Sequence, residues 1–220
     1  MERNSDSELF QILHERLFTA VLGDILDREG YYYQFLPQPI KPLKEAYRVV
    51  GRAFPVRIKD VAGPQSRPFG RLTEALDAIG PGEVYLATGG SMNCAAWGEI
   101  LTVTARARGG AGAVIDGFHR DTPRVLEQDW PVFSRGSFAQ DAGVRSSVVD
   151  FHCAVEIGGV AVEPGDLIFG DIDGVVVIPR AAEQRVIELA LEKVAGEKIV
   201  RREIEAGSSS TDVFNRYGIL

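Results

Sequence analysis

The chain has 220 residues, 45% of them hydrophobic and 25% charged, and 31 acidic against 24 basic side chains leave a net charge of −7. A sizeable core can form, while the acidic balance argues against nucleic acid or an anionic membrane as partner, and no run of about 18 apolar residues argues for a membrane span. Two cysteines, Cys94 and Cys153, cannot build a disulfide framework, and the acidic start MERNSDSELFQILHERL lacks the basic and apolar regions of a secretion signal, so a reducing cytoplasm is the expected compartment.

Residues 7–28 place Leu9, Ile12, Leu13, Leu17, Val21 and Leu22 at helical spacing, with a break expected at Gly23 and a stop at Gly30. Residues 31–47, with three prolines and three consecutive tyrosines, read as irregular. A strand is expected over 47–58, with Pro55 pushing it toward an edge or a bulge. A short helix over 71–79 ends at GPGE, and a buried strand over 84–88 leads to Gly89-Gly90. Residues 95–108 read as a helix with Ile100, Val103 and Ala107 on one face, stopped at Gly109-Gly110. A buried strand follows over 113–116. Beyond it, strands are expected at 132–134, 148–157, 160–162, 167–170 and 175–178, separated by turns at GG (158–159), EPGD (163–166) and DIDG (171–174). A long amphipathic helix over 180–206 and a short one after Ser210 or Thr211, ended by Gly218, close the chain. The expected picture is a central α/β layer, a strand-rich half and a helical tail. The short helix–strand alternation disfavours a doubly wound sheet or an α/β barrel.

Two stretches carry chemistry. In WGEILTVTARARGGAG (97–112), Gly98 and Glu99 start a helix whose first amides have no intrahelical partner, a ready site for a carboxylate or phosphate, although spacing alone favours a capped helix that simply packs. In AVIDGFHRDTPRV (113–125), Arg120 and Asp121 sit just past the C-terminal end of a buried strand, where α/β proteins place ligand chemistry. A guanidinium offers a planar fork for an oxyanion, and the adjacent carboxylate can hold a hard cation; the alternative is a solvated turn. Gln140, Asp141 and Arg145 form a polar loop with no catalytic assignment. On the tail helix, Ile187, Ala190, Val194, Glu197 and Arg201 share one arc, and the two charges either pair with each other or reach across a subunit boundary.

Other motifs lead nowhere. GGAGA (109–113) ends a helix and opens a strand, the reverse of a dinucleotide loop. His14, His119 and His152 show no zinc spacing, and Asp166, Asp171 and Asp173 read as turn residues between strands.

The segments WGEIL, ARARGGAGAVIDGFHRD, WPVF, GGVAVEPGDLIFGDIDGVVVIP and IEAGSSSTDVFNRYGIL resemble the RraA-like family, in its longer branch of 4-hydroxy-4-methyl-2-oxoglutarate aldolases, over roughly residues 10–220. The resemblance implies one α/β domain spanning 1–220. It would be a swivelling β/β/α core (47–179) with N-terminal helices (1–30) and a C-terminal helical extension (180–220), assembled as a trimer or a hexamer with active sites between subunits. It implies a divalent-metal-dependent carbon–carbon lyase that releases pyruvate from 4-hydroxy-2-oxo acids, with oxaloacetate decarboxylation as a side activity. The substrate carboxylate would meet the amides of Gly98, Glu99, Ile100 and Leu101. Arg120 would contact the keto group and Asp121 would bind Mg²⁺ or Mn²⁺. Glu197, from a neighbouring subunit, would hold water at the metal. The family often has an aspartate where this chain reads YLATGG, and Phe118-His119 replaces small residues, departures that bear on substrate choice. The resemblance also brings a second reading, since some relatives bind and inhibit ribonuclease E. A methyltransferase reading ranks below both, because no strand-first glycine loop for a methyl donor is present.

Overall fold

The computed structural model describes residues 2–91 and 93–219. Two helices open the chain, α1 (Glu2–Arg16) and α2 (Thr19–Arg28). Their break falls at Leu17-Phe18 rather than at Gly23. That glycine lies inside α2, where a Cβ would stand 2.4 Å from the Phe35 ring, so close packing rather than a bend requires it. There follow β1 (Lys41–Pro42), β2 (Val49–Asp60), α3 (Leu72–Ala78) and β3 (Glu83–Thr88). The stretch 95–108, expected as one helix, is a short strand β4 (Ala95–Trp97) and then α4 (Glu99–Ala107). Next come β5 (Gly112–Ile115), β6 (Phe118–His119), α5 (Thr122–Glu127), β7 (Val132–Ser134) and β8 (Ser146–Phe151). The remainder is β9 (Val155–Ile157), β10 (Val160–Val162), β11 (Leu167–Asp171), β12 (Gly174–Ile178), α6 (Glu183–Glu205) and α7 (Ser210–Tyr217). The run 148–157 is broken because His152 turns through φ 54°.

Eight strands form one mixed sheet in the order β1-β7-β5-β3-β2-β11-β12, with β8 also pairing β2. The segment β2, β3, β5, β7 is parallel, and β1, β8, β11 and β12 join antiparallel. The strand-rich half is therefore not a separate layer: β11 and β12 extend the sheet begun by β2. The sheet curls toward closure. Lys41 of β1 donates to the carbonyls of Ile172 (3.3 Å) and Asp173 (2.6 Å) in the β11–β12 turn.

Pro55 does not mark an edge, but the other expected feature lies close by, a bulge in the β2–β8 ladder between Arg57 and Ile58. β11 pairs β2 through Val49–Arg52 and β8 pairs it from Val56 onward, so the missing N–H falls at the seam between two neighbours. The Pro55 carbonyl accepts from the His152 amide at 2.7 Å.

Side chains alternate across the sheet. Leu86 and Val114 enter one core with Phe133, Ile168 and the β9–β10 hairpin, while Tyr85, Ala87, Ala113 and Ile115 enter another with α3 and α4. Both faces are buried, which is why these strands read as continuous apolar runs. A third core packs Val21, Leu22, Ile25 and Leu26 of α2 with Val186 and Ala190 of α6 against Phe169 and Val176. Each of these side chains other than Ala190 contributes about 1.5–3 kcal/mol on burial. This is an α/β architecture with N-terminal helices and a C-terminal helical tail. No helix among the described residues is long and apolar enough to cross a membrane.

Candidate active site

The end of β5 leads through the turn Asp116-Gly117 into β6, which pairs in parallel with β4. Asp116 is committed to structure: Thr88 donates to it at 3.0 Å and Arg135 at 2.6 Å. The β4–β6 ladder continues with the Arg120 amide donating to the Trp97 carbonyl at 3.0 Å, which sets Arg120 and Asp121 beside the first turn of α4. That turn is anchored. Trp97 Nε1 donates to Thr102 Oγ1 at 2.8 Å, and this hydroxyl donates to the Gly98 carbonyl at 2.9 Å. With its hydroxyl satisfied, Thr102 is fully buried with Ala105, and the face that carries Ile100 and Val103 is turned outward, Ile100 being 70% exposed.

Asp121 holds a left-handed backbone (φ 57°, ψ 33°), uncommon for a residue other than glycine. It occupies the N-cap position of α5 yet makes no side-chain capping bond there. Its carboxylate instead accepts from the Glu99 amide at 3.3 Å and lies 3.8 Å from Arg120 Nε. Gly98 makes this approach possible, since a Cβ there would sit 2.7 Å from Asp121 Oδ2. The other end of the Arg120 guanidinium pairs with Asp141 at 3.0 Å, and Asp141 also accepts from the Gly143 amide at 2.8 Å. Arg120, Asp121 and Asp141 are each partly open to solvent.

Gly98, Glu99, Ile100, Leu101, Arg120 and Asp121 line one cavity of about 500 Å³, together with Asp141 and an apolar wall. Sequence reasoning left Asp141 as loop polarity. No local signal marks it, because its partner lies 21 positions away and only the fold joins them. Glu197 is elsewhere. It lines a hollow with Val200, Arg201, Ile204, Glu205 and Ile219, and it sits 3.9 Å from Lys193. The Glu197–Arg201 pairing is absent, because Arg201 turns to Glu205 at 2.7 Å. Within one chain, then, the structure joins every expected site residue except Glu197.

His119 lies behind the site. It is buried, with Nδ1 2.7 Å from Ser134 Oγ and Nε2 2.9 Å from Thr122 Oγ1. Burial holds its pKa below the ordinary histidine value. A neutral ring can satisfy both hydroxyls, so His119 braces the turn that carries Arg120.

Among the described residues no group of three or more His, Cys, Asp or Glu gathers as a metal cage. The cavity does offer the Asp121 carboxylate, aimed away from its own helix. A single carboxylate with room for water and substrate oxygens suits Mg²⁺ or Mn²⁺ rather than zinc, which asks for three or four nitrogen or sulfur ligands.

Comparison with known proteins gives matches over most of the chain. The profile of a family described as RraA-like, Aldolase/RraA, matches residues 19–177. A protein of Halalkalibacterium halodurans, named as a candidate 4-hydroxy-4-methyl-2-oxoglutarate aldolase, is 34% identical over 187 residues, 84% of each chain. Protein DlpA of Legionella pneumophila is 28% identical over 192 residues; the match takes in 87% of this chain but only 31% of that longer protein. The crystal structure of Streptomyces coelicolor RraAS2, described as an unusual member of the RNase ES inhibitor RraA protein family, superimposes with a TM-score of 0.80 at 28% identity, covering 90% of this chain and 98% of that one.

Proposed function

The chain belongs to the RraA-like family, and on that premise we propose that it is a divalent-metal-dependent aldolase that releases pyruvate from 4-hydroxy-2-oxo acids such as 4-hydroxy-4-methyl-2-oxoglutarate. The observation that carries the proposal is the convergence on one cavity of the first amides of α4, Arg120 and Asp121. The names of relatives support an aldolase.

The substrate carboxylate is received at the N-terminus of α4, where the amides of residues 98–101 and the helix dipole favour an anion. Arg120 donates to the 2-oxo oxygen. Breaking the C3–C4 bond leaves its electron pair on C3, delocalised onto that oxygen, and the guanidinium meets the charge as it develops. Asp121 is the proposed direct ligand of a Mg²⁺ or Mn²⁺ ion, which when bound supplies Lewis-acid stabilisation of the enolate. The C4 hydroxyl proton leaves to water held by a carboxylate, for which Glu197 of a second copy of the chain is proposed. The chain thus acts as one domain in a trimer or a pair of trimers, with each site completed by a neighbour. Oxaloacetate decarboxylation forms the same enolate, so slow release of pyruvate from oxaloacetate is expected.

A coupled pyruvate assay with several 4-hydroxy-2-oxo acids and oxaloacetate, with Mg²⁺ or Mn²⁺ and with EDTA, tests the reading. Arg120→Ala should lower kcat/KM by about 10²–10³ without changing the melting temperature. Normal turnover by that variant refutes the assignment.

The second reading, an inhibitor of ribonuclease E, is supported by the description of the Streptomyces protein, whose near-complete overlap with this chain means that length alone does not separate the two readings. Ribonuclease binding by a protein that shows no pyruvate release would decide for it.

A further inference from the structure

Arg120 stands between two carboxylates. Its Nε lies 3.8 Å from Asp121 Oδ2, and its Nη1 lies 3.0 Å from Asp141 Oδ1. Asp121 is its neighbour in the chain, whereas Asp141 is brought to it by the fold. The two compete for one guanidinium, and the distances show that Asp141 holds it. The contacts of Asp121 with Arg120 and with the Glu99 amide, at 3.3 Å, both fall on Oδ2. Both are longer than the roughly 2.7–2.9 Å of a charge-assisted hydrogen bond.

Asp141 is fixed independently of Arg120. The Gln140 carbonyl accepts from the Ala95 amide of β4 at 2.8 Å, and the Phe138 amide donates to the His119 carbonyl of β6 at 2.8 Å, so the segment runs along the β4–β6 ladder. The Asp141 carbonyl accepts from Arg145 Nη1 at 3.0 Å. The Ala142 carbonyl accepts from the amides of Arg145 and Ser146, both at 2.8 Å. In the side chain the two oxygens divide: Oδ2 accepts from the Gly143 amide at 2.8 Å, and Oδ1 faces Arg120. The loop, not the ion pair, therefore aims this carboxylate, and every one of these contacts lies within one chain. A pair as open to solvent as this one adds little to stability. Its consequence is where the guanidinium points.

Resting on the reading of Asp121 as the metal ligand, we infer that Asp141 is a positioning residue: it draws the Arg120 guanidinium away from Asp121 and so keeps that carboxylate open to a divalent cation. Without Asp141, the nearest partner left for the guanidinium is its own chain neighbour. Closing the 3.8 Å gap to a direct ion pair would occupy Asp121 Oδ2 and turn the guanidinium away from the 2-oxo oxygen. The ligand of the cation and the donor to the substrate would then neutralise each other.

The test is Mn²⁺ binding to the assembled, substrate-free protein, followed by the electron paramagnetic resonance signal of free Mn²⁺. The site counted is the one that Asp121→Asn abolishes. Asp141→Asn keeps an oxygen acceptor for the Gly143 amide, so the loop and the melting temperature should be preserved while the pull on Arg120 is lost. This variant should raise the Mn²⁺ dissociation constant about tenfold. In an Arg120→Ala background the same change should alter it by less than about twofold, because Asp141 acts through the arginine. A tenfold loss that persists without the arginine would mean that Asp141 acts on the cation directly, and overturns the inference. A dissociation constant unchanged in a folded Asp141→Asn protein also overturns it. Either result leaves the aldolase reading standing. If the wild-type protein binds no Mn²⁺ at a site that Asp121→Asn removes, the metal reading itself falls, and this inference with it.

Discussion

Asp121 holds a left-handed backbone and forgoes the capping bond its position offers. A backbone of this kind costs on the order of 1–3 kcal/mol, and such residues concentrate at functional sites. What the conformation achieves is to turn the carboxylate from α5 toward α4, within 3.3 Å of the Glu99 amide. Gly98 is the matching concession on the other side. Its φ of −174° is ordinary extended backbone, so alanine there introduces no backbone strain. Its Cβ would nonetheless stand 2.7 Å from Asp121 Oδ2 and 3.4 Å from Arg120 Cγ. Gly98→Ala should therefore displace both functional side chains while leaving the fold intact. Steady-state kinetics should show kcat/KM lower by about 10²-fold, and calorimetry an almost unchanged melting temperature. A normal kcat/KM would show that the close approach of residues 98 and 121 has no part in turnover.

The elements are joined by contacts that no local pattern displays. The N-cap of α2 is Phe18, which offers no side-chain acceptor. The acceptor comes from Asp171 at the end of β11, which takes the Thr19 amide at 2.8 Å, the Thr19 hydroxyl at 2.6 Å and the Asp173 amide at 3.0 Å. One buried carboxylate thus caps a helix and shapes the β11–β12 turn. Asp171→Ala leaves these donors without an acceptor and should cost about 1–3 kcal/mol. In a chain of this size that lowers the melting temperature by roughly 2–4 °C per kcal/mol. Thermal unfolding measures it, and a loss below 1 °C would mean that water replaces the cap. The DIDG turn is visible in the sequence as a turn; that its aspartate also caps a helix 152 positions away is not.

At the scale of the whole molecule, Glu197 lies in a hollow of the tail helices, apart from the cavity of Arg120 and Asp121. If it serves a neighbour's cavity, two inactive variants should rescue each other. Arg120→Ala and Glu197→Gln subunits, refolded together in equal amounts, should regain about one quarter of wild-type activity, since in a ring of equivalent interfaces a quarter of the sites pair an intact arginine with an intact glutamate. Activity no greater than the sum of the separate variants would place Glu197 outside the machinery. The mixed sheet has the same property of joining distant parts. β2 lies between β3, about thirty residues on, and β11, more than a hundred residues on, so the strand-rich half becomes a continuation of the same layer.

Periodicity and turn chemistry in the sequence by themselves determined the apolar strands 84–88, 113–116 and 132–134, the hairpin turns after 157 and 171, the tail helix, and the adjacency of Arg120 and Asp121 past a strand end. These are local properties, carried by side-chain spacing within a few residues. Only the tertiary structure decided that Pro55 lies in a central strand, that Ile100 faces outward, that Gly23 makes room for a ring, and that Asp141 and the hydrocarbon wall share a cavity with Arg120. Each of those depends on which distant segment fills the adjacent space, and the free energy of burial and pairing is set by that neighbour rather than by the residues on either side in the chain.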